Sequence, residues 1–138
     1  MEVNWEAWVG QSQDALVPVG EQSPLLLHRE VLPHWQDLVV RAAVAGFDLQ
    51  IASAWRGFDR QLAIWNGKAS GQRPVLDAQS QPLDIACLSE DELLFAMLRW
   101  SAIPGCSRHH WGTDLDVYDA AAVPADYRVQ LTPDECVG

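Results

Sequence analysis

From His28 to Ala45, apolar residues recur at the spacing of a helix. The pattern predicts an amphipathic helix that ends at Gly46, with a kink or a helix start at Pro33, since proline lacks an amide proton. The apolar positions are Val31, Leu32, Trp35, Leu38, Val39, Ala42 and Ala43. At least one packed helix is therefore expected.

Helical and strand patterns are mixed along the rest of the chain. Residues 58–69 predict a second helix, and Ser89 with Glu92 has the spacing of a capping box in front of a third. Alternating or short apolar patterns predict strands at 48–53, 114–118 and 127–131. Regular βαβ spacing is absent from the sequence. We therefore expect one α+β domain over residues 1–138, a small antiparallel sheet packed with helices.

Composition excludes several classes of protein. The formal net charge is -10 and the nine Lys and Arg residues form no large cluster, which disfavours nucleic acid as a partner. No apolar run approaches the ~20 residues of a membrane span. The N-terminus shows no signal peptide, which by itself favours a cytoplasmic protein. Three irregularly spaced cysteines, at 87, 106 and 136, suggest neither a disulfide framework nor a cysteine zinc site.

The segment SRHHWGTDLD, residues 107–116, has the residue types of a metal site. A histidine before a glycine turn and an aspartate in the following strand can converge on one ion, and imidazole and carboxylate are both zinc ligands. Asp114 shares a strand face with Asp116. Two alternatives stay open: a His–Asp hydrogen bond that fixes the turn, or a solvated acidic strand edge.

Two motifs together resemble a known family. SRHHWGTDLD fits S-x-H-x-x-G-x-x-x-D, and SAWRGFDRQLAIW at 53–65 fits S-x-x-R-x-x-x-x-Q. Both are typical of the VanY-like zinc D-alanyl-D-alanine carboxypeptidases of the M15 peptidase family. The similarity covers about residues 25 to 131 and implies a hedgehog/DD-peptidase-like fold.

The resemblance implies roles for individual residues. His109 and Asp116 would bind Zn²⁺, and Arg56 would stabilise the oxyanion formed at the scissile carbonyl. Ser53, Gln61 and Ser107 would shape the site and hold the substrate. The alternatives are that Ser53 caps a strand end, that Gln61 faces solvent on its helix, and that Arg56 pairs with Asp59. Trp111 is expected to form a wall of the pocket, and His28 and His34 are expected to be structural or solvent-facing. His110 is a neighbour of the expected ligand and matches no ligand position; it or Asp114 could supply a makeshift third ligand, although neighbouring side chains tend to point apart.

One part of the family pattern is absent from the sequence. The family's third zinc ligand is the histidine of an E-x-x-H segment whose glutamate is the general base, and no histidine follows His110. Thr132, Pro133 and Glu135 have the pattern of a helix start near the end of the sequence. We therefore expect an N-terminal portion of a longer enzyme, incomplete at the C-terminus. This portion would be inactive and weak in zinc binding. An exposed sheet edge would lead to self-association, or to local disorder near residues 117 to 138.

The expected function is thus that of a zinc carboxypeptidase. The resemblance implies D,D- or L,D-cleavage of peptidoglycan stem peptides or related short peptides, in the bacterial cell envelope or periplasm. The alternative within the same fold is a non-catalytic peptidoglycan- or metal-binding module. A further alternative is an interaction protein that uses its seven tryptophans, although Trp35, Trp65 and Trp100 fall on apolar helical faces and are expected in the core.

Overall fold

The computed structural model describes residues 4–136, apart from the side chains of residues 133 and 134. The helices are α1 (Trp5–Trp8), α2 (Leu32–Val44), α3 (Phe58–Ala69) and α4 (Glu90–Trp100). The strands are β1 (Leu16–Pro18), β2 (Leu26–His28), β3 (Leu49–Ser53) and β4 (Asp116–Asp119). Single 3₁₀ turns lie at Ile85–Cys87, Arg108–Trp111, Ala120–Ala122 and Pro133–Cys136. The predicted α+β class is confirmed.

The strands form two separate antiparallel pairs, β1 with β2 and β3 with β4. In the second pair, Leu49 lies opposite Asp119 and Ser53 lies opposite Asp116, with a register shift between Ile51 and Ser53. An irregularity of this kind redirects side chains at the end of a strand pair. It places the ends of the two motif segments side by side.

The core lies between α2 and the strands. Leu27, Trp35 and Ala54 are buried there, and Leu49 and Ile51 of β3 pack against them. The predicted helix is confirmed, but it begins at Leu32 with Pro33 in its first turn, because His28 belongs to β2. Of the tryptophans expected in the core, only Trp35 is buried, with 8% of its surface exposed. Trp65 and Trp100 are half-buried.

The predicted strand at 127–131 is wrong. The segment is irregular, and Leu131 has a left-handed φ of 57°, which no regular strand accommodates. The carboxylate of Glu135 accepts hydrogen bonds from the amides of Gln130 and Thr132 and from the hydroxyl of Tyr127, so these amides bond to a side chain instead of a strand. The strand expected at 114–118 begins two residues later, at Asp116.

The helix starts agree better with expectation. Ser89 and Glu92 form the predicted capping box at the start of α4, with the hydroxyl accepting from the Glu92 amide and the Glu92 carboxylate accepting from the Ser89 amide. Within the described residues, no helix is long and apolar enough to cross a membrane. β4 pairs on one side only in the part of the chain that the structure describes, and self-association through its edge stays a prediction.

Candidate active site

A tight turn presents His109. The 3₁₀ turn Arg108–Trp111 ends at Gly112, whose φ is 70°. A Cβ at this position would lie 2.9 Å from the backbone nitrogen of His28, which itself donates to the Gly112 carbonyl at 2.9 Å. Glycine is therefore required by both conformation and space. The turn fixes the imidazole of His109 against the start of β4.

His109 and Asp116 face each other at 3.2 Å, from Nε2 to Oδ2. The other ring nitrogen, Nδ1, lies 3.1 Å from the carbonyl oxygen of Asp114, which can only accept a hydrogen bond. Nδ1 therefore donates to this carbonyl, and Nε2 points at the carboxylate of Asp116. A ring nitrogen and a carboxylate oxygen approach this closely only when a proton or a metal cation lies between them.

The donor pair fits zinc. Tetrahedral coordination with Zn–N and Zn–O bonds of about 2.0–2.1 Å places two ligand atoms about 3.3 Å apart, close to the 3.2 Å observed. The carbonyl that holds Nδ1 is the kind of second partner that orients metal-binding histidines. Among the described residues, however, no group of three or more His, Cys, Asp or Glu side chains converges on one point. The ligand roles of His109 and Asp116 stay predictions.

Arg56 is held by neutral partners. Its Nη1 donates to Oε1 of Gln61 at 3.0 Å, and its Nη2 donates to Oγ of Ser53 at 2.9 Å. Gln61 is 1% exposed and donates in turn to the carbonyl of Ala102 at 2.7 Å. The alternatives of a solvent-facing Gln61 and an Arg56–Asp59 pair are therefore wrong. Both motif residues position the guanidinium.

The charge of Arg56 has no close counter-ion among the described side chains. Burial lowers the pKa of its guanidinium, while the nearby negative charge of Asp116 raises it. Arginine remains protonated in proteins despite such shifts. A cation is therefore fixed near the His109–Asp116 pair and is free to interact with a developing negative charge.

His110 supports the site without entering it. Its Nδ1 donates to the carbonyl of Arg56 at 2.6 Å, and its Nε2 accepts from the amide of Gly105 at 3.0 Å. Burial lowers the pKa of the imidazole, so it stays neutral at pH 7. With both ring nitrogens engaged, His110 is not available as a makeshift third metal ligand.

One cavity of about 600 Å³ joins the site residues. Arg56, Ser107, His109 and Asp116 line it, whereas Ser53 and Gln61 lie behind Arg56. Its other walls are formed by Lys68, Leu76, Leu98, Arg99, Trp100, Ser101, Ala102, Cys106, Arg108, Asp114, Gln130 and Leu131. The predicted site residues therefore meet at one opening, with two of them supporting a third.

Two features differ from the sequence analysis. Trp111 does not line this cavity: it is 52% exposed and lines a separate cavity with Trp8, His28 and His110, whereas His109 of the same turn lines the site. Lys68 was not anticipated. It lies seven residues after Gln61 on α3, a spacing that puts both on one helix face and could have indicated it.

The fold is that of the VanY and VanXY peptidases. A mutant of the vancomycin-resistance D,D-pentapeptidase VanY from a VanB-type cassette, in complex with Zn(II), matches with a TM-score of 0.57 and 22% identity over 76% of this chain. VanYB in complex with D-alanine-D-alanine matches with a TM-score of 0.58 and 20% identity over 77% of this chain. Vancomycin-resistance D,D-dipeptidase VanXYg, in complex with a D-Ala-D-Ala phosphinate analogue, gives 0.50 and 24% over 75%.

The chain belongs to the VanY D-alanyl-D-alanine carboxypeptidase family, whose model matches residues 24–135. An uncharacterized protein of Haemophilus influenzae is 38% identical over 105 residues, which cover 75% of this chain and 72% of the relative. The matched region spans 52% and 51% of the two VanY structures and 34% of VanXYg. The predicted family and fold are confirmed.

Proposed function

We propose that this site belongs to a zinc-dependent carboxypeptidase that releases the C-terminal residue of peptidoglycan stem peptides. The observation that carries the proposal is the 3.2 Å contact between His109 Nε2 and Asp116 Oδ2, beside a fixed guanidinium and in an open cavity. Similar structures hold Zn(II) or D-alanine-D-alanine, and this supports zinc as the metal and a short D,D-peptide as the substrate.

Each residue has a distinct task in this proposal. His109 and Asp116 would hold the metal, with the Asp114 carbonyl fixing the imidazole. Zinc, when bound, supplies a Lewis acid for the scissile carbonyl. Arg56 stabilises the negative charge that develops on the carbonyl oxygen, and Ser53 with Gln61 keeps the guanidinium aimed at it. The buried Ser107 lines the cavity and contacts the substrate.

The 138 residues alone, we further propose, bind zinc weakly and are inactive. Two ligands leave an ion largely hydrated, so that little binding free energy is gained over water. The sequence has no E-x-x-H segment to supply a third ligand and a general base. Glu135 is a poor substitute for that base, since its carboxylate accepts bonds from the Tyr127 hydroxyl and from the amides of Gln130 and Thr132.

A non-catalytic module of the same fold is the second candidate. It is favoured by one observation: within residues 4–136, the metal-binding side chains number fewer than three at any point. Such a module would bind D-Ala-D-Ala peptides and release nothing. The distinction is therefore one of turnover, and a single assay separates the two candidates.

The test is the release of D-alanine from a pentapeptide that ends in D-Ala-D-Ala. Protein expressed from the complete reading frame that encodes these residues should release D-alanine with zinc and lose this activity with a chelator. The 138-residue chain should release none. Arg56→Ala should lower kcat on the order of 100- to 1000-fold, with unchanged zinc content. Absence of release from D,D- and L,D-peptides alike by every product of the frame would exclude the enzyme and leave the binding module.

A further inference from the structure

The cavity is cationic in an acidic protein. The chain has nine Lys and Arg residues and a formal net charge of -10. Four of these cations line the one cavity: Arg56, Lys68, Arg99 and Arg108. Among the side chains that the structure describes, two carboxylates line it with them, those of Asp114 and Asp116, so the described lining has a formal excess of two positive charges. Charge of this sign attracts an anionic ligand.

Lys68 is the only lysine in the sequence, and it is partly buried in this lining. Its Nζ donates to Oγ of Ser101 at 2.6 Å, a neutral partner. Among the side chains that the structure describes, no carboxylate lies within 4.0 Å of it, whereas Arg108 pairs with Asp114 at 3.6 Å. Burial lowers the pKa of the Lys68 ammonium, and a negative charge beside the ammonium would stabilise its protonated form.

Lys68 lies further along α3 than Gln61, the residue that holds Arg56. Gln61, which holds Arg56, and Lys68 differ by seven residues, so their backbones lie roughly 10 Å apart along the helix axis. An extended peptide advances roughly 3.3–3.6 Å per residue, so a ligand that covers this stretch of α3 spans about three residues. The cavity, at about 600 Å³, has room for a ligand of this size.

We propose that Lys68 binds a carboxylate on a side chain of the peptide, so that this site prefers acidic peptides to neutral ones. This inference rests on the proposed function for the position of the scissile bond at Arg56. A carboxypeptidase that removes one residue leaves room for only one residue beyond that bond. The carboxylate bound by Lys68 therefore belongs to a residue on the N-terminal side of the bond.

Binding tests the proposal without turnover. Two peptides are compared, acetyl-Glu-D-Ala-D-Ala and acetyl-Gln-D-Ala-D-Ala, which differ only by a carboxylate and a carboxamide. The 138-residue chain is titrated without metal, and the readout is the indole N–H resonance of Trp100, a residue that lines the cavity. The glutamate peptide should bind roughly 10- to 100-fold more tightly, the factor expected for one charge-assisted hydrogen bond.

Variants assign the preference to Lys68. Lys68→Met keeps the apolar stem and should bind both peptides equally, whereas Lys68→Arg should retain most of the preference. Arg41→Met, which removes an exposed charge on α2, is the matched control for net charge and should behave as the wild type. Folding of each variant is checked by circular dichroism.

Several results would overturn the inference. They are equal affinity of the wild type for the two peptides, an unchanged preference in Lys68→Met, and no saturable shift of Trp100 with either peptide. Failure of the proposed function gives a different result: the glutamate preference is present, but protein from the complete reading frame releases no D-alanine.

Discussion

Gln61→Leu removes the centre of the network that positions Arg56. The glutamine is 1% exposed, accepts from Arg56 at 3.0 Å and donates to the Ala102 carbonyl at 2.7 Å. Loss of a hydrogen bond to a charged group costs about 1.5–3 kcal/mol, and loss of the donor to the partly buried Ala102 carbonyl adds about 1 kcal/mol. Leucine offsets part of this by burying an apolar side chain. We therefore expect the free energy of unfolding to fall by about 3 kcal/mol.

The assay is urea and thermal unfolding followed by circular dichroism. For a domain of this length, about 3 kcal/mol corresponds to a decrease in Tm of roughly 10 °C. Gln36→Leu is the matched control, because Gln36 is exposed on α2 and its substitution should change stability by no more than about 0.5 kcal/mol. If the Gln61 variant were as stable as the Gln36 variant, the buried network would not contribute to the fold.

Two further predictions concern the support of the site. Gly10→Ala should destabilise the protein by roughly 1 kcal/mol or more, because Gly10 has a φ of 79° and a Cβ would lie 2.4 Å from Nδ1 of His110. Gly20→Ala is the control in the same unfolding assay, since a Cβ at Gly20 would have no atom within 4 Å. Equal stabilities of the two variants would contradict this geometry. Burial lowers the pKa of His110 from 6.5 in the folded state, so below about pH 6.5 the unfolded state binds more protons and stability falls as the pH falls. His110→Gln should weaken this dependence in unfolding curves between pH 7 and 5, and an identical pH profile would contradict a neutral buried imidazole.

Much of the fold could be predicted from local patterns. The range of α3, the capping box of α4 and the stripe of α2 depend on residues close in sequence, and the structure confirms them. The strand at 127–131 failed because alternation says nothing about a partner strand, and the Glu135 carboxylate bonds to the amides there. Pairing between distant segments is decided by tertiary contacts.

The candidate site, like the fold, could be predicted only in part from the sequence. The two motifs predicted which residues meet, and the structure brings together His109, Asp116 and Arg56. The sequence could not show that Gln61 is buried behind Arg56, since this depends on the Ala102 carbonyl on another segment. Nor could it show that Trp111 faces a different cavity from His109, because the direction of each side chain is set by the 3₁₀ turn.

Zinc titration of the 138-residue chain, followed by the ring-nitrogen resonances of its four histidines, tests whether His109 and Asp116 form a metal site. Zinc should shift the Nε2 resonance of His109 with a Kd on the order of 1 mM. Asp116→Asn should abolish this shift. His110, with both ring nitrogens hydrogen-bonded, should not respond and serves as an internal control. A His109 resonance that is unaffected by zinc, or a response equal in Asp116→Asn, would show that the two residues do not form a metal site. Tight stoichiometric binding would instead contradict the incomplete ligand set.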